Sequence, residues 1–322
     1  RPNRRTAVSS VRGATVVEMG AGKNQGRSSA SESTDVAFKE SVRVLVTNWY
    51  AANARPLPWR APGVSAWGVL VSEVMSQQTP VSRVVGPWQC WMKRWPAPAD
   101  LARSGTGEVL RAWGRLGYPR RALRLLEAAR KLAARGNEVP ETEQELLELP
   151  GVGRYTAAAI LAFAFGRRSL VLDTNVRRVL ARLADGQARP APTENAAERT
   201  RATAWLPEDD AECAAWSQAA MELGALVCVT GTPACSSCPV REHCRWVANG
   251  SPVWDGPTRP VQPWAGTDRQ CRGRIMASLR ASTQEVLPHD LVWHDPVQLD
   301  RCVASLVAEG LAHRVGKGIK LG

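Results

Sequence analysis

The sequence predicts an all-α fold, and three features of the chain support this prediction. Apolar residues recur with the 3.6-residue period of amphipathic helices between Phe38 and Cys228. The alternation of apolar and polar residues that marks half-buried strands does not extend over any length there. Proline and glycine separate the periodic segments, as they separate the helices of a bundle. The exception is one short hairpin expected at Leu311–Leu321, with its turn at Gly316–Gly318.

The helices of the central region are predicted from the spacing of their apolar positions. The first begins at Phe38 and carries Val42, Leu45, Val46 and Trp49. The clearest has apolar residues at i, i+3, i+4, i+7 and i+8, namely Trp67, Leu70, Val71, Val74 and Met75. Further helices are expected near residues 80–95, 106–113, 119–135, 141–149, 156–165 and 212–228.

Changes in composition divide the chain into four predicted segments. Residues 1–37 are polar and aperiodic, which predicts a disordered basic tail. Residues 38–247 hold the helical periodicity and are expected to form the main globular region. Residues 248–270 are rich in Pro, Gly and Trp and are predicted to be a linker. Residues 271–322 contain two helical segments and the hairpin, which together predict a small winged-helix-like module.

The charge of the chain indicates a polyanionic partner. Its 322 residues include 42 Lys and Arg against 30 Asp and Glu, a formal net charge of +12. Such an excess indicates nucleic acid or an acidic membrane surface. No run approaches the roughly 18 apolar residues of a membrane-spanning helix, so no membrane span is expected. The first forty residues contain no apolar signal-peptide core, and we expect a reducing cytoplasmic location.

A glycine turn between two predicted helices, Leu149–Thr156, is the first candidate site. Pro150 ends the preceding helix because the residue before a proline avoids the helical region. Gly151 and Gly153 flank Val152 and allow positive φ or the close approach of another backbone. The turn leads into a helix N-terminus, whose outward N–H groups suit a phosphate. An ordinary corner between two helices is the alternative.

Two carboxylates are candidates for acid–base chemistry. Asp173 precedes a predicted helix as an N-cap, where N–H donors and the helix dipole favour its ionised form. Glu73 lies on the flank of the apolar stripe of its helix, where partial burial raises the pKa of an acid. Cleavage of a glycosidic bond uses such a pair, one acid for the leaving group and one carboxylate beside the sugar cation. An ordinary helix cap and an exposed helical Glu are the alternatives.

Four cysteines within seventeen residues predict a metal centre, with the spacing C-x6-C-x2-C-x5-C: Cys228, Cys235, Cys238 and Cys244. Both zinc and a [4Fe–4S] cluster accept four thiolates. Zinc sites usually pair two C-x2-C knuckles and this loop has one, so the spacing favours the iron–sulfur cluster. The remaining cysteines are expected to be packing residues: Cys90, Cys213, Cys271 and Cys302.

Together these motifs resemble those of the helix-hairpin-helix DNA glycosylase superfamily with an iron–sulfur loop. The resemblance covers residues 38–247 and implies two helical lobes. The six-helix lobe would span about 66–165, and the cluster lobe would combine about 38–65 with 166–247. The substrate nucleotide would be flipped into the cleft between the lobes. The DNA backbone would be held by the glycine hairpin, that is by Gly151, Val152, Gly153 and Arg154.

Within this superfamily the sequence is similar to the adenine DNA glycosylase family. The similarity rests on Leu57–Arg60, on Ser72–Thr79 and on Leu116–Tyr118. It implies a monomeric, nucleoid-associated enzyme of base excision repair that removes adenine mispaired with 8-oxoguanine or guanine in double-stranded DNA. Asp173-Thr174-Asn175 replaces the family's frequent Asp-Gly-Asn, and Pro119 follows Tyr118 where the family often has tyrosine.

The same resemblance implies roles for individual residues. Glu73 would protonate the adenine at N7, Asp173 would stabilise the sugar cation, and Asn175 would support both. Tyr155 stands where a related family, endonuclease III, carries its Schiff-base lysine, so efficient strand cleavage is not expected. The remaining predicted contacts are Trp59, Arg60 and Gln218 in the adenine pocket, and Gln78 and Tyr118 as wedges in the base stack.

Two alternatives remain open at this point, and both concern function. One is a non-catalytic iron–sulfur protein that binds DNA or senses redox state. The other is a glycosylase for a different mismatched base, such as thymine opposite guanine. Residues 271–322 are too short for the family's β-rich domain with its Phe-Ser-His loop, which leaves the preference for 8-oxoguanine open. Arginines that could contact phosphates are Arg120, Arg121, Arg124, Arg154, Arg177 and Arg178.

Overall fold

A computed structural model describes residues 25–256 and 263–322, with side chains from residue 33 onward. The described residues divide into two units, one that ends at Arg43 and one from Val44 to Gly322. Of the expected disordered tail, residues 1–24 lie outside the described residues. The first helix, α1 (Gln25–Asn53), begins within that expected tail. Residues 25–37 contain four Ser and only two Ala, so local helix propensity did not predict this part of the helix.

The prediction of an all-α fold is confirmed, since helices make up most of the second unit. After α1 they are α2 (Ala66–Ser76), α3 (Val85–Arg94), α4 (Pro98–Ala102), α5 (Thr106–Trp113), α6 (Arg120–Ala133), α7 (Glu143–Leu147), α8 (Arg154–Phe165), α9 (Thr174–Leu183), α10 (Ala196–Thr203), α11 (Asp210–Leu226), α12 (Arg245–Ala248), α13 (Asp268–Ala281) and α14 (Pro296–Ala308). No helix among the described residues is both long and apolar enough to cross a bilayer.

The helices from α2 to α8 enclose an apolar core that positions the candidate site. Helix α2 packs against α8, whose alanine-rich sequence allows a close approach, and α4 and α5 pack against α6. Three tryptophans meet edge to face in this core. The centre of the Trp91 ring lies 4.6 Å from that of Trp95 and 5.7 Å from that of Trp113. Nearly every side chain of α2 is therefore buried, including the one carboxylate that the helix carries.

The C-terminal segment packs on the same core. Strands β1 (Ala312–Val315) and β2 (Gly318–Leu321) form an antiparallel hairpin, the one sheet within the described residues. Ile275, Leu306 and Ile319 belong to one apolar cluster with the residues of α2 to α8. A segment of about 50 residues is only marginally stable alone, because it buries a small fraction of its surface, and sharing this core stabilises it.

Candidate active site

Glu73 lies in the middle of α2, and its side chain is buried, with 8% of its surface exposed. Ser65 caps this helix by accepting a hydrogen bond of 3.2 Å from the N–H of Gly68. Burial raises the pKa of Glu73 to about 7, and the charge of Asp173 acts in the same direction. A hydrogen bond from Tyr155 and the charge of Arg60 oppose the rise. The carboxyl can therefore hold or release a proton near neutral pH.

Tyr155 is the second residue of α8, directly after the glycine turn. Its hydroxyl donates the hydrogen bond to Glu73. Burial, together with the nearby charges of Glu73 and Asp173, raises the pKa of Tyr155 well above its usual 10. The phenol consequently remains a neutral donor beside the acid.

Asp173 is the N-cap of α9, as its sequence position predicts. Its Oδ1 accepts a hydrogen bond of 2.7 Å from the N–H of Val176, and its Oδ2 accepts one of 2.7 Å from Nδ2 of Asn175. Burial nevertheless raises the pKa of Asp173, against the effect of these hydrogen bonds. The cap alone therefore does not determine its protonation, because desolvation acts in the opposite direction.

Arg178 fixes Asn175 and connects it to the cysteine loop. Its Nη2 donates to Oδ1 of Asn175 at 2.8 Å and to the carbonyl of Gly224 at 2.6 Å. Its Nε donates to the carbonyl of Cys228 at 2.6 Å. A Cβ at Gly224 would lie 2.7 Å from Cβ of Asn175, so only glycine permits this approach. Arg178, predicted as a candidate phosphate contact, is buried and uses its donors inside the protein.

Arg60, predicted for the adenine pocket, belongs to an ion network around Glu222. Nη2 of Arg60 lies 3.0 Å from Oε2 of Glu222, and Nε of Arg55 lies 2.7 Å from Oε1. The side chain of Glu222 is fully buried. Burial opposes its ionisation, but the hydrogen bonds from Arg55 and Arg60 outweigh burial and lower the pKa of Glu222 to about 2. Arg60 is thereby held as a charged group close enough to influence Glu73.

The two other predicted pocket residues occupy different surroundings. Oε1 of Gln218 accepts a hydrogen bond of 2.9 Å from the hydroxyl of Tyr50, and the Tyr50 ring lies 5.6 Å from the Arg60 guanidinium. Gln218 therefore joins the network, whereas Trp59 packs edge-on against Trp88 in the core, with 5.8 Å between ring centres.

Sequence reasoning missed three members of this network: Tyr50, Arg55 and Glu222. One signal was available for Glu222, which lies one helical turn after Gln218 on α11 among small and apolar residues. An acid in such surroundings needs a paired cation.

The predicted wedge residues lie on two short loops that one arginine holds together. Gln78 and Tyr118 are exposed and have positive φ angles of 52° and 47°. Arg121 donates to the carbonyl of Val74, in the last turn of α2 before the first loop, at 2.8 Å, and to the carbonyl of Gly117 at 3.1 Å. Its guanidinium also lies 5.6 Å from the Tyr118 ring. Arg121, like Arg178, is thus engaged within the protein.

The glycine hairpin exposes backbone rather than side chains. Gly151 has a φ of 84°, and a Cβ there would lie 3.0 Å from Cβ of Arg124, so this position requires glycine. Gly153 has extended backbone with open space around it and is the N-cap of α8. The Val152 side chain is buried in the core and its N–H donates to the Leu149 carbonyl at 3.1 Å, so this residue can offer only its own carbonyl. Arg154 is exposed beside it.

The four loop cysteines follow α11 and lie close to one another. Nη1 of Arg182 donates to Sγ of Cys228 at 3.3 Å. Burial raises the pKa of Cys238 to about 11, and the charges of the other three sulfurs add to this rise. Backbone N–H groups donate to the sulfurs of Cys238 and Cys244.

The arrangement of these thiols limits what they could hold. Within the described parts of the chain, no three His, Cys, Asp or Glu side chains converge on the position of one metal ion. The loop nevertheless supplies four neighbouring thiols, which is the residue type and number that ligates an iron–sulfur cluster.

Residues 71–206 match the family model described as HhH-GPD superfamily base excision DNA repair protein. Over 280 residues the chain is 48% identical to an adenine DNA glycosylase of Mycolicibacterium smegmatis, covering 85% of this chain and 94% of that relative. The chain belongs to the adenine DNA glycosylase family. A Mycobacterium tuberculosis member is 46% identical over 274 residues, covering 84% of this chain and 90% of its own. A human member is 42% identical over 220 residues, covering 66% of this chain and 40% of its own.

Solved structures show that the family's fold extends to more distant glycosylases. A thermostable thymine-DNA glycosylase superposes with a TM-score of 0.60 at 23% identity, covering 66% of this chain and 98% of that one. A trapped endonuclease III–DNA covalent intermediate gives a TM-score of 0.55 at 23% identity and the same coverage. At this identity the likeness supports the shared fold alone.

Proposed function

We propose that this protein is a monofunctional DNA glycosylase that releases adenine mispaired with 8-oxoguanine or guanine in double-stranded DNA. The observation that carries the proposal is the buried Glu73 carboxyl, whose pKa is about 7, beside the Tyr155 hydroxyl and within electrostatic range of Asp173. An acid with this pKa can donate a proton at neutral pH, and a second carboxylate nearby can stabilise a developing cation.

In the proposed reaction, Glu73 donates a proton to N7 of the flipped adenine. The C1′–N9 bond then breaks, its electrons leave with the adenine, and Asp173 stabilises the sugar cation. Water adds to C1′ and returns a proton to Glu73, which restores the acid. The products are free adenine and an abasic site in an intact strand. Tyr155 provides no amine, so no Schiff base forms at its position.

The surrounding residues are proposed to bind the duplex and the flipped base. The Gly151–Gly153 turn, through the N–H groups of its two glycines and the backbone of Val152 between them, would hold the DNA backbone together with the Arg154 side chain. Gln78 and Tyr118, held on their loops by Arg121, would enter the stack and offset the cost of extrusion, which is a few kcal/mol. The adenine pocket would be lined by Trp59, Arg60 and Gln218.

The four loop cysteines are proposed to hold a [4Fe–4S] cluster: Cys228, Cys235, Cys238 and Cys244. Such a cluster supplies four iron–thiolate bonds that cross-link the loop. Arg178 donates hydrogen bonds both to the Cys228 carbonyl and to Asn175, so a loop fixed by the cluster would also fix the position of Asn175. We further expect a monomer that acts on chromosomal DNA in the cytoplasm.

The proposal is tested by incubating the full-length protein with duplexes that hold A, T or U opposite 8-oxoguanine or guanine. We expect release of adenine alone, with strand breaks only after added base or heat. Glu73→Gln should abolish release while duplex binding persists. Release of thymine, strand breaks without base, or binding without any release would each contradict the proposal.

A further inference from the structure

The C-terminal segment reaches the predicted wedge through one arginine. Arg269, in the first turn of α13, places its guanidinium carbon 5.8 Å from the centre of the Tyr118 ring. The same carbon lies 5.4 Å from the centre of the Trp264 ring. Both rings face solvent, with Tyr118 47% exposed and Trp264 54% exposed. An exposed cation is therefore shared between two exposed rings on different parts of the fold.

The loop that carries Trp264 is held in place although its indole is exposed. The Trp264 carbonyl accepts a hydrogen bond of 2.9 Å from the Thr267 hydroxyl. The N–H of Gly266 donates to Oε1 of Gln270 at 2.8 Å, and its carbonyl accepts from Nε2 of Gln298 at 2.9 Å. These bonds tie the loop to α13 and α14, so the position of the ring does not depend on its burial.

Arg269 also lacks a counter-charge within the described residues, unlike two other arginines of the segment. Arg272 pairs with Glu309 at 2.8 Å, and Arg301 pairs with Asp268 at 2.8 Å. No carboxylate lies within ion-pair distance of Arg269 among the residues that the structure describes. Its positive charge is therefore available to an anion from outside the chain.

An unpaired cation between two solvent-facing aromatic rings matches the chemistry of nucleic acid. The cation can neutralise a phosphate, and each exposed ring can stack on a base. A role in packing alone would bury the rings, and about half of each remains exposed. The adjacent ring, that of Tyr118, is already a proposed wedge into the base stack.

We propose that Tyr118, Trp264 and Arg269 form one DNA-contacting surface, which we call the aromatic–arginine patch. Arg269 holds the Tyr118 ring and neutralises a backbone phosphate, and Trp264 offers a ring face to a base near the mispair. The proposal rests on the proposed function, which makes duplex DNA the ligand. It adds that the C-terminal segment is part of the DNA-binding surface as well as a cover for the core.

The test measures binding of the full-length protein to a fluorescent duplex with one A·G mispair, by anisotropy at several salt concentrations. Arg269→Gln should weaken binding and lower the slope of log K against log salt by about 0.9, the value for one phosphate contact. Trp264→Ala should raise Kd about fivefold, the loss of one weak stacking contact. Arg269→Lys should keep the salt slope and lose affinity, because an ammonium does not stack as a guanidinium does.

Arg274→Gln is the matched control. Arg274 is an exposed arginine on the same helix, 5.7 Å from the Trp293 ring, and it also forms no ion pair within the described residues. An equal loss of affinity in this control would show a general charge effect and overturn the patch. A lower Tm with unchanged Kd and salt slope in both Arg269→Gln and Trp264→Ala would assign the patch to packing and overturn it too.

Adenine release by the unaltered protein separates the two proposals. If the unaltered protein releases adenine while Arg269→Gln and Trp264→Ala bind DNA as it does, the proposal of the patch is wrong and the proposed function stands. If it releases no adenine while these variants lose affinity and salt slope, the proposed function is wrong and the patch stands as a DNA-binding surface.

Discussion

Nη2 of Arg60 lies 3.0 Å from Oε2 of Glu222, an acid whose side chain is fully buried. Arg60 in turn opposes the rise in the pKa of Glu73 that burial causes. Glu222 therefore acts on the proposed catalytic acid through the position and charge of Arg60. A buried ion pair is in this way part of the electrostatics of the site as well as of its stability.

Replacing Glu222 by Gln should destabilise the protein by about 3 kcal/mol, because the variant leaves two arginines beside a buried position without their counter-charge. Urea unfolding measures the change. Glu309→Gln is the control, since it breaks a pair with Arg272 whose side chains keep 23% and 25% exposure to solvent, and it should cost less than about 1 kcal/mol. Equal costs for the two variants would contradict the importance of the buried network.

The rate of adenine release should fall as pH rises through about 7, because Glu73 must be protonated to donate and burial places its pKa at about 7. Single-turnover rates between pH 5.5 and 9 measure this decrease. In Glu222→Gln the charge of Arg60 is no longer balanced and favours ionised Glu73, so the decrease in rate should occur at lower pH. A rate independent of pH across this range would exclude Glu73 as the acid.

Stability should fall as pH rises from about 4.5 to about 7. The pKa of Glu73 is raised to about 7 in the folded protein from 4.5, so the folded state binds more protons in this window and loses the advantage as they dissociate. Glu73→Gln should remove this dependence and stabilise the protein at pH 8 by up to roughly 3 kcal/mol. Urea unfolding at pH 5 and pH 8 measures the stability of each variant. Glu127→Gln, at an exposed position, is the control and should keep the pH dependence of the unaltered protein.

The parts of the site that depend on residues close together in the chain could be predicted from the sequence. The cap at Asp173, the turn at Gly151 and the helix that carries Glu73 each follow from a few neighbouring residues. Glu222 and Arg55 lie 167 positions apart, and their pairing depends on how α11 meets the loop after α1. Tertiary packing decides such contacts, which is why they escaped prediction.

Tertiary packing also decides the surroundings of residues whose charge or secondary structure was predicted correctly. Arg178 had the expected charge, yet packing turns it inward to the Cys228 carbonyl. Residues 271–322 had the expected helices and hairpin, yet their apolar residues join the core of the preceding helices. Periodicity indicates which face of an element is apolar and leaves open the partner that covers it.

Arg178→Lys should slow adenine release about tenfold or more. A lysine cannot donate at once to Asn175, to the Gly224 carbonyl and to the Cys228 carbonyl, and each lost charge-assisted hydrogen bond costs about 1.5–3 kcal/mol. Asn175 would then hold Asp173 less firmly, so the chemical step should slow more than duplex binding weakens. Single-turnover rates and anisotropy on the same duplex separate these two effects.

Arg182→Lys is the matched control for this prediction. Arg182 also contacts the cysteine loop, with Nη1 donating to Sγ of Cys228 at 3.3 Å and to the carbonyl of Val229 at 2.9 Å. Its hydrogen bonds go to the carbonyls of Ala188 and Val229 and to Sγ of Cys228 rather than to Asn175, so its replacement should disturb the loop and leave the rate of adenine release nearly unchanged. Equal slowing in both variants would mean that the cysteine loop, rather than the Arg178–Asn175 hydrogen bond, sets the position of Asp173.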